Sequence, residues 1–343
     1  MRIVIFGSNN SWSIERFYAK YLSELGCEVY LFDSIHHYKT DSLIDKFKYR
    51  YFPKLLYKKL NESLLNDIDW SNIDILWVFK GIEIFYSTLE IIKNKNVLLA
   101  NYNPDHPYIR TFHSSGSLVL VKAIPLFNLH FSYSKSVLNR IKKTTNCDIS
   151  FLPFGYESSL LSQKILTESE EINMACFVGN PDSLRVKLIR RIVSRGFRVA
   201  VYGNGWESYF RNNKLVECCG VAKTSDLYNI LRSYRVQLNI FRPHNLGSHN
   251  MRTFEIAGVG GIQLAPFSED HINFFHENSE IFLYKNEEEL FEKLNFLLNS
   301  PWDFIIRVRE NAQNRSQIEG YSYEKRAQIV YNYFEKMIYG EEN

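Results

Sequence analysis

Residues 241–266 read FRPHNLGSHNMRTFEIAGVGGIQLAP, and this stretch decides the fold of the second half of the chain. An apolar run, Val236–Phe241, leads into it and predicts a buried strand. A polar loop then precedes a short helical pattern, in which Phe254, Ala257 and Gly258 share one face. Glycines at positions 258, 260 and 261 end the helix, and the apolar residues that follow begin the next strand. A strand, a polar loop, a helix and a further strand in this order predict part of a parallel α/β sheet.

The start of this helix, at Asn250 and Met251, has the properties of an anion site. The first backbone N–H groups of a helix have no partner within the helix, and the helix dipole places partial positive charge beside them. Arg252 lies in the first turn, where its charge opposes the dipole, so we expect it to serve an anion. Glu255 is placed to accept the hydroxyls of a ribose, and the stretch predicts a nucleoside diphosphate site. The alternative is that Arg252 and Glu255, three residues apart, form only a surface pair.

Further motifs occur in order along the chain. They are LPFGY at 152–156, CFVGN at 176–180, Arg185, VYGNGW at 201–206, LNI at 238–240, RTFEIAGVGG at 252–261, EIFLY at 280–284, EEL at 288–290 and NSP at 299–301. This set resembles the carboxyl-terminal half of GT-B glycosyltransferases, and among them the spore-maturation-protein (CgeB-like) family. The resemblance extends from Phe151 to Arg326.

The resemblance implies two doubly wound, Rossmann-like α/β domains that face a cleft, which is the GT-B fold. It implies a glycosyltransferase that moves a sugar from a nucleoside diphosphate to a glycan or a lipid-linked glycan of the cell envelope. The second domain would bind the donor sugar, and Arg252 would also act in catalysis by neutralising the leaving diphosphate, without a metal or a further cofactor. The implied donor-binding residues are Gly179, Asn180, Arg185, Gly203, Asn204, Trp206, His244, Asn245, Asn250, Met251, Arg252 and Glu255. Trp206 has an alternative role as a hydrophobic plug.

Two positions depart from the family pattern. Retaining GT-B enzymes often carry a second glutamate eight residues before the one that binds ribose, and here that position is Gly247. Near the end of the chain, Tyr321 stands where the CgeB-like group has histidine, while Tyr323 and Arg326 persist. The stereochemical course is therefore open. Two rival functions also stay open, a GT-B-fold nucleotide-sugar epimerase and a non-catalytic binding protein.

The bulk composition narrows the class of protein. A chain of 343 residues suits two domains, and a net charge of +3 is too small to indicate nucleic acid as a partner. The five cysteines have no CxxC spacing and predict reduced thiols rather than a metal site. The apolar runs are too short to span a bilayer, and the amino terminus lacks the pattern of a signal peptide. These features predict a cytoplasmic protein.

The first half repeats the alternation of strands and helices. We expect an acceptor-binding domain at residues 1–155, a donor-binding domain at 170–320, and a final helical segment, 321–343, that folds back on the first domain. The loop after the first strand has one glycine where a dinucleotide site needs three, so Ser8, Asn9 and Asn10 are assigned to an acceptor hydroxyl. Lys80 follows the third predicted strand, Ile73–Phe79, and is assigned to the acceptor side as well.

The loop Asn101–Pro107 carries the candidate catalytic base. Asp105 and His106 follow a predicted strand, at the edge of the sheet where ligands bind, and either is suited to take a proton from a sugar hydroxyl. A turn formed by Asn-Pro-Asp is the structural alternative. The basic and aromatic stretch Lys46–Lys59 has two interpretations as well. It is either a peripheral contact with an anionic membrane or, as we prefer, a solvated helix face.

Overall fold

The computed structural model describes residues 1–36, 53–109, 118–161, 166–223, 225–241 and 247–340. The chain forms two compact units. Unit 1 contains Met1–Pro153 together with Tyr323–Asn343, and unit 2 contains Phe154–Ser322. His244 and Asn245, and the part of the basic stretch from Lys46 to Phe52, lie outside the described residues.

Unit 1 is built on one parallel sheet of six strands in the order β2-β1-β3-β4-β5-β6. The strands are β1 (Arg2–Gly7), β2 (Glu28–Asp33), β3 (Ile75–Phe79), β4 (Leu98–Asn103), β5 (Leu129–Ser132) and β6 (Asp148–Phe151). The helices between them are α1 (Ile14–Glu24), α2 (Pro53–Asn66), α3 (Tyr86–Lys93), α4 (Leu118–Ala123) and α5 (Lys135–Thr144).

Unit 2 also has a parallel sheet of six strands, in the order β12-β11-β10-β7-β8-β9. Its strands are β7 (Ile172–Val178), β8 (Val199–Tyr202), β9 (Val216–Cys218), β10 (Tyr234–Leu238), β11 (Gln263–Pro266) and β12 (Phe282–Tyr284). Its helices are α6 (Ser183–Ser194), α7 (Glu207–Phe210), α8 (Leu227–Ser233), α9 (Met251–Gly258), α10 (Glu269–Phe274), α11 (Glu287–Asn299) and α12 (Trp302–Ile318).

The last helix, α13 (Tyr323–Tyr339), belongs to unit 1. Its aromatic side chains pack against those of the first sheet and of α1. Tyr323 stacks on Phe17 with 5.2 Å between ring centroids, and Phe334 meets Trp77 edge-on at 5.4 Å. Aromatic contacts of this kind stabilise a core beyond the apolar area that they bury. The chain therefore leaves unit 1 after Pro153 and returns to it at Tyr323.

Apolar runs form the strands because helices cover both faces of each sheet. In β3 all of Ile75–Phe79 is buried, as expected of a central parallel strand. The predicted α/β class, with a doubly wound parallel sheet in each half, is confirmed.

The strand order locates the ligand-binding edge of each sheet. In open α/β sheets, ligands bind beyond the carboxyl ends of the strands, where the order reverses direction. In unit 1 this point lies between β1 and β3, and in unit 2 it lies between β7 and β10. The loops that leave these four strands are therefore the first places to look for a site.

Candidate nucleotide-binding and acceptor sites

Helix α9 begins at the switch point of unit 2 with two unused backbone donors. Its N-cap is Asn250, whose side-chain oxygen accepts the N–H of Thr253 at 3.1 Å. The N–H groups of Met251 and Arg252 form no hydrogen bond with the described residues. The predicted helix start at this position is thus present, and its first two N–H groups can take an anion.

A buried polar network fixes the cap of α9. The amide of Asn239, just after β10, donates to Asn250 Oδ1 at 3.1 Å and to Gln263 Oε1 at 2.9 Å. In return, Asn250 Nδ2 donates to Asn239 Oδ1 at 2.8 Å. Thr253 Oγ1 lies 3.1 Å from His271 Nε2, and burial lowers the pKa of His271 to about 3, so its ring is neutral. The network joins β10, β11, α9 and α10 and leaves the helix start little freedom.

Arg252 and Glu255 form an ion pair on the first turn of α9. The pair is not a simple surface contact, because Glu255 is only 4% exposed while the side chain of Arg252 is 27% exposed. Burial raises the pKa of the Tyr228 phenol, on α8, and the nearby charge of Glu255 raises it further. A carboxylate next to a partly exposed guanidinium in the first turn of a helix suits a ribose and a phosphate.

The loops after β7 and β8 are joined to each other. The N–H of Gly179 donates to Tyr202 O at 2.8 Å, and the N–H of Asn204 donates to Asn180 Oδ1 at 3.0 Å. Gly203 has φ +149°, and a Cβ there would collide with the carbonyl of Gly179. A Cβ at Gly179 would lie 2.9 Å from the ring of Phe177. Both glycines are therefore required by packing inside the protein, whether or not a diphosphate approaches them.

Trp206 lies in the core, which corrects the expectation that it binds the donor. Its side chain is fully buried between Phe177 and Phe210, and its indole N–H donates to Gly179 O at 2.8 Å. The alternative of a hydrophobic plug describes its position. Its hydrogen bond attaches the Gly179 loop to the core.

Arg185, which the sequence predicts to bind the donor, has hydrogen-bond partners within unit 2. Its Nη1 donates to Asn180 O at 3.0 Å, and its Nη2 donates to Ile240 O at 3.2 Å. Asp182 lies 3.4 Å from its Nε. The guanidinium thus joins the ends of β7 and β10, the two strands that define the switch point.

The loop after β9 is not among the sites that the sequence predicts. Gly220 O accepts the N–H of Gly203 at 2.7 Å, and the adjacent Val221 is 70% exposed. An exposed apolar side chain at the carboxyl edge of a sheet is suited to a flat apolar group. The signal available in the sequence is a glycine two residues after the short strand β9, Val216–Cys218.

The switch point of unit 1 gathers several predicted acceptor-side residues. Lys80 follows β3 in the left-handed region, at φ +57°, and its Nζ lies 3.1 Å from Asp105 Oδ2. Burial opposes the positive charge of Lys80, but the carboxylates of Asp105, Glu15 and Glu83 together offset it, so the pKa of Lys80 is raised. A strained lysine paired with an aspartate at a ligand edge is a feature of functional sites.

The loop after β1 lies at the same switch point. Asn10 Nδ2 donates to Ser8 Oγ at 2.8 Å, and Asn9 between them is exposed. Beneath this loop, burial raises the pKa of Glu15, and its carboxylate accepts the N–H of Ser8 at 3.3 Å. Glu15 also interacts with the charge of Lys80, which links the two loops. His106 Nδ1 accepts the N–H of Tyr108 at 3.3 Å, so the imidazole is used within its own turn.

The described part of the basic stretch is amphipathic. In α2, Lys58 and Lys59 are exposed, while Leu56 and Leu60 are buried. Lys58 pairs loosely with Glu62 at 3.8 Å. An exposed lysine face fits both interpretations of the stretch, the solvated helix face and the membrane contact. No helix in the described ranges has both the length and the apolar character required to cross a membrane.

The fold is shared with several solved structures. A sucrose-phosphate synthase from Thermosynechococcus elongatus is similar over 99% of this chain and 100% of its own, with a TM-score of 0.74 and 10% identity. HepE from Anabaena, in complex with UDP-glucose, is similar over 98% and 100%, with a TM-score of 0.66 and 12% identity. A glycosyltransferase from Rickettsia africae is similar over 99% of both chains, with a TM-score of 0.65 and 15% identity. The class of the fold is therefore that of GT-B glycosyltransferases.

A family match covers most of the second half of the chain. Residues 185–332 match a family described as "Glycosyl transferase-like". This range contains α9 with Arg252 and Glu255. A comparison with curated protein sequences finds no match.

Proposed function

We propose that the protein is a glycosyltransferase that binds a nucleoside-diphosphate sugar in unit 2 and transfers the sugar to a hydroxyl of a glycan or lipid-linked glycan. The observation that carries the proposal is the start of α9, where the free N–H groups of Met251 and Arg252 lie beside the Arg252–Glu255 pair. The glycosyl transferase-like match over the same residues supports it. HepE is a structural neighbour in complex with UDP-glucose, which supports a uridine nucleotide as the donor.

The proposed donor site uses each group for one part of the nucleotide. The carboxylate of Glu255 accepts the ribose hydroxyls. The two N–H groups of α9 and the guanidinium of Arg252 bind the diphosphate. As the bond between the sugar carbon and the diphosphate oxygen breaks, its electron pair passes to that oxygen. Fixed donors aimed at this developing charge lower the barrier by several kcal/mol, and removal of one such donor typically costs about 3–4 kcal/mol.

The proposed acceptor chemistry belongs to unit 1. Asp105 takes the proton of the acceptor hydroxyl, whose oxygen forms the new bond to the sugar carbon. Lys80 holds the carboxylate at 3.1 Å. Ser8 and Asn10, at the neighbouring strand end, supply polar contacts for the acceptor. Asp105 is favoured over His106 as the base because the imidazole nitrogen of His106 is used by Tyr108.

The proposed subgroup within the GT-B glycosyltransferases follows from the sequence motifs. The ordered motifs between Phe151 and Arg326 support a place in the CgeB-like group. The positive charges of Arg252 and of the helix start are suited to stabilise the leaving diphosphate. They support a transfer that needs no metal ion.

The direct test is a panel of UDP, GDP, CMP and TDP sugars, first by thermal shift and then by product analysis. A bound donor at about 100 times its Kd stabilises a protein by about 2.7 kcal/mol, which is readily measured. We expect at least one donor to stabilise the protein and to release its nucleoside diphosphate slowly in water. No stabilisation by any donor would contradict the proposal. An epimerised nucleotide sugar formed without acceptor would show an epimerase instead.

A further inference from the structure

His249 precedes the N-cap of α9 and is fully buried. Its ring lies edge-on to Phe254 and Phe274, with 5.4 Å and 5.1 Å between ring centroids. Phe154 approaches it in the same manner at 5.8 Å. A polar ring enclosed by three aromatic side chains is costly unless its nitrogens are used.

The polar partner of His249 is Asp270, in the first turn of α10. Asp270 Oδ2 lies 2.9 Å from His249 Nδ1 and also accepts the hydroxyl of Ser248 at 2.8 Å. One carboxylate oxygen therefore holds two consecutive side chains. Hydrogen bonds to an ionised group are about twice as strong as neutral ones.

The two residues that Asp270 holds lead directly into the helix start. Gly247, at φ +82°, begins this segment, and Asn250 ends it as the N-cap. Asn239 holds Asn250 from the side of the sheet, while Asp270 holds Ser248 and His249 from the side of α10. These two anchors fix the orientation of the backbone that leads to the N–H groups of Met251 and Arg252.

We propose that His249 and Asp270 are positioning residues for the phosphate-binding end of α9. The inference rests on the proposed function, because it concerns the same nucleotide site. The pair fixes residues 248–250, so that the two N–H groups point towards the diphosphate before the nucleotide arrives. Ordering a segment in advance removes that entropy cost from binding and increases affinity.

The test compares three variants of the full-length protein by calorimetry with UDP, GDP, CDP and TDP. His249→Phe keeps a ring of similar size and removes the donor to Asp270. His249→Asn places an amide N–H near the position of Nδ1 and restores the donor. His276→Phe makes the same change at a histidine whose side chain is 68% exposed, and serves as the control.

For the nucleotide that the wild type binds best, we expect Kd to rise at least tenfold in His249→Phe. It should return to within threefold of the wild type in His249→Asn and stay unchanged in His276→Phe. Thermal unfolding of each variant separates affinity from stability. If His249→Phe falls in stability but binds within twofold of the wild type, the pair has only a structural role and the inference is wrong.

A second substitution covers the case in which His249→Phe does not fold. Asp270→Asn keeps the shape of the side chain and removes its charge, and we expect at least a fivefold rise in Kd. An unchanged Kd in a folded Asp270→Asn protein also overturns the inference. If the wild type itself binds none of the four nucleotides, the proposed function fails first, and the inference fails with it.

Discussion

Arg252 and Glu255 illustrate what spacing alone can establish at the scale of single residues. Their spacing predicts a nucleotide site, with a surface pair as the alternative, and the two residues do form an ion pair. Their spacing did not reveal that Glu255 is buried or that Tyr228 lies near it. Burial depends on α8, which is distant in sequence. A buried carboxylate beside a partly exposed guanidinium is a stronger sign of a ligand site than the same pair on an open surface.

Trp206 provides a test of its assignment to the core. Trp206→Ala removes the largest side chain beneath the Gly179 loop and leaves Gly179 O without its donor. We expect unfolding of unit 2 to require about 3–5 kcal/mol less free energy, as measured by urea titration with circular dichroism. Trp12 is 58% exposed, so Trp12→Ala should change stability by less than about 0.5 kcal/mol. Equal effects of the two substitutions would contradict the core position of Trp206.

His130 predicts a dependence of stability on pH. It is fully buried on β5, and neither ring nitrogen has a hydrogen-bond partner within the described part of the chain. Burial lowers its pKa to about 3 from 6.5. Below pH 6.5 the unfolded chain binds a proton that the folded chain does not take up until about pH 3. The titration of His130 therefore leaves the unfolding free energy unchanged above pH 6.5 and lowers it as the pH falls towards 3, by up to about 1.4 kcal/mol per pH unit.

The substitution His130→Leu should remove this dependence. We expect a shallower decline of the unfolding free energy of unit 1 between pH 6.5 and pH 4, and equal or higher stability at pH 7, because two buried nitrogens without partners are lost. Exposed His36 is the control, and His36→Leu should leave the decline unchanged. A decline as steep in His130→Leu as in the wild type would show that His130 is not responsible.

At the scale of elements, α9 and α11 offer a matched comparison. Both have asparagine N-caps, Asn250 and Asn286, and each accepts an N–H three residues on, at 3.1 Å and 3.0 Å. Asn286 lies at an exposed helix start, whereas Asn250 also binds the buried Asn239. The same side chain therefore caps a surface helix in one place and anchors the candidate site in the other.

Replacing each cap with alanine separates capping from binding. Asn286→Ala should lower the free energy of unfolding by about 1 kcal/mol and leave nucleotide affinity unchanged. Asn250→Ala should lower it by more, because Asn239 loses a buried partner, and should weaken nucleotide binding at least fivefold. Thermal unfolding and calorimetry on the same samples measure both quantities. Unchanged affinity in Asn250→Ala would count against the role of the α9 start.

The elements of the sheets were largely predictable from the sequence, because apolar runs bounded by glycine and polar loops mark parallel strands. The run predicted at Ile73–Phe79 corresponds to β3, and the helix of the candidate nucleotide site begins at Met251 as expected. The contacts that shape the site were not predictable. His249 meets Asp270 and Asn239 meets Gln263 only because the sheet brings their loops together.

At the scale of the whole molecule, the two sheets differ in the order of their strands but share one principle. Each places polar loops at a point where the order reverses, with Lys80 and Asp105 in unit 1 and Asn250 with Arg252 in unit 2. The sequence showed that these loops follow strands, which was enough to select them. It did not show that Arg185 and Trp206 donate hydrogen bonds that hold these loops in place.

The central claim is that unit 2 holds a nucleoside diphosphate at the start of α9, and calorimetry with UDP and with the best donor of the panel tests it most directly. The variants are Arg252→Ala and Glu255→Ala, and the control is Arg191→Ala, which breaks an exposed ion pair with Glu287 on the same unit. We predict at least tenfold weaker binding in both site variants, about 1.4 kcal/mol, and no change in the control. Binding as tight in Arg252→Ala and Glu255→Ala as in the wild type would contradict the claim.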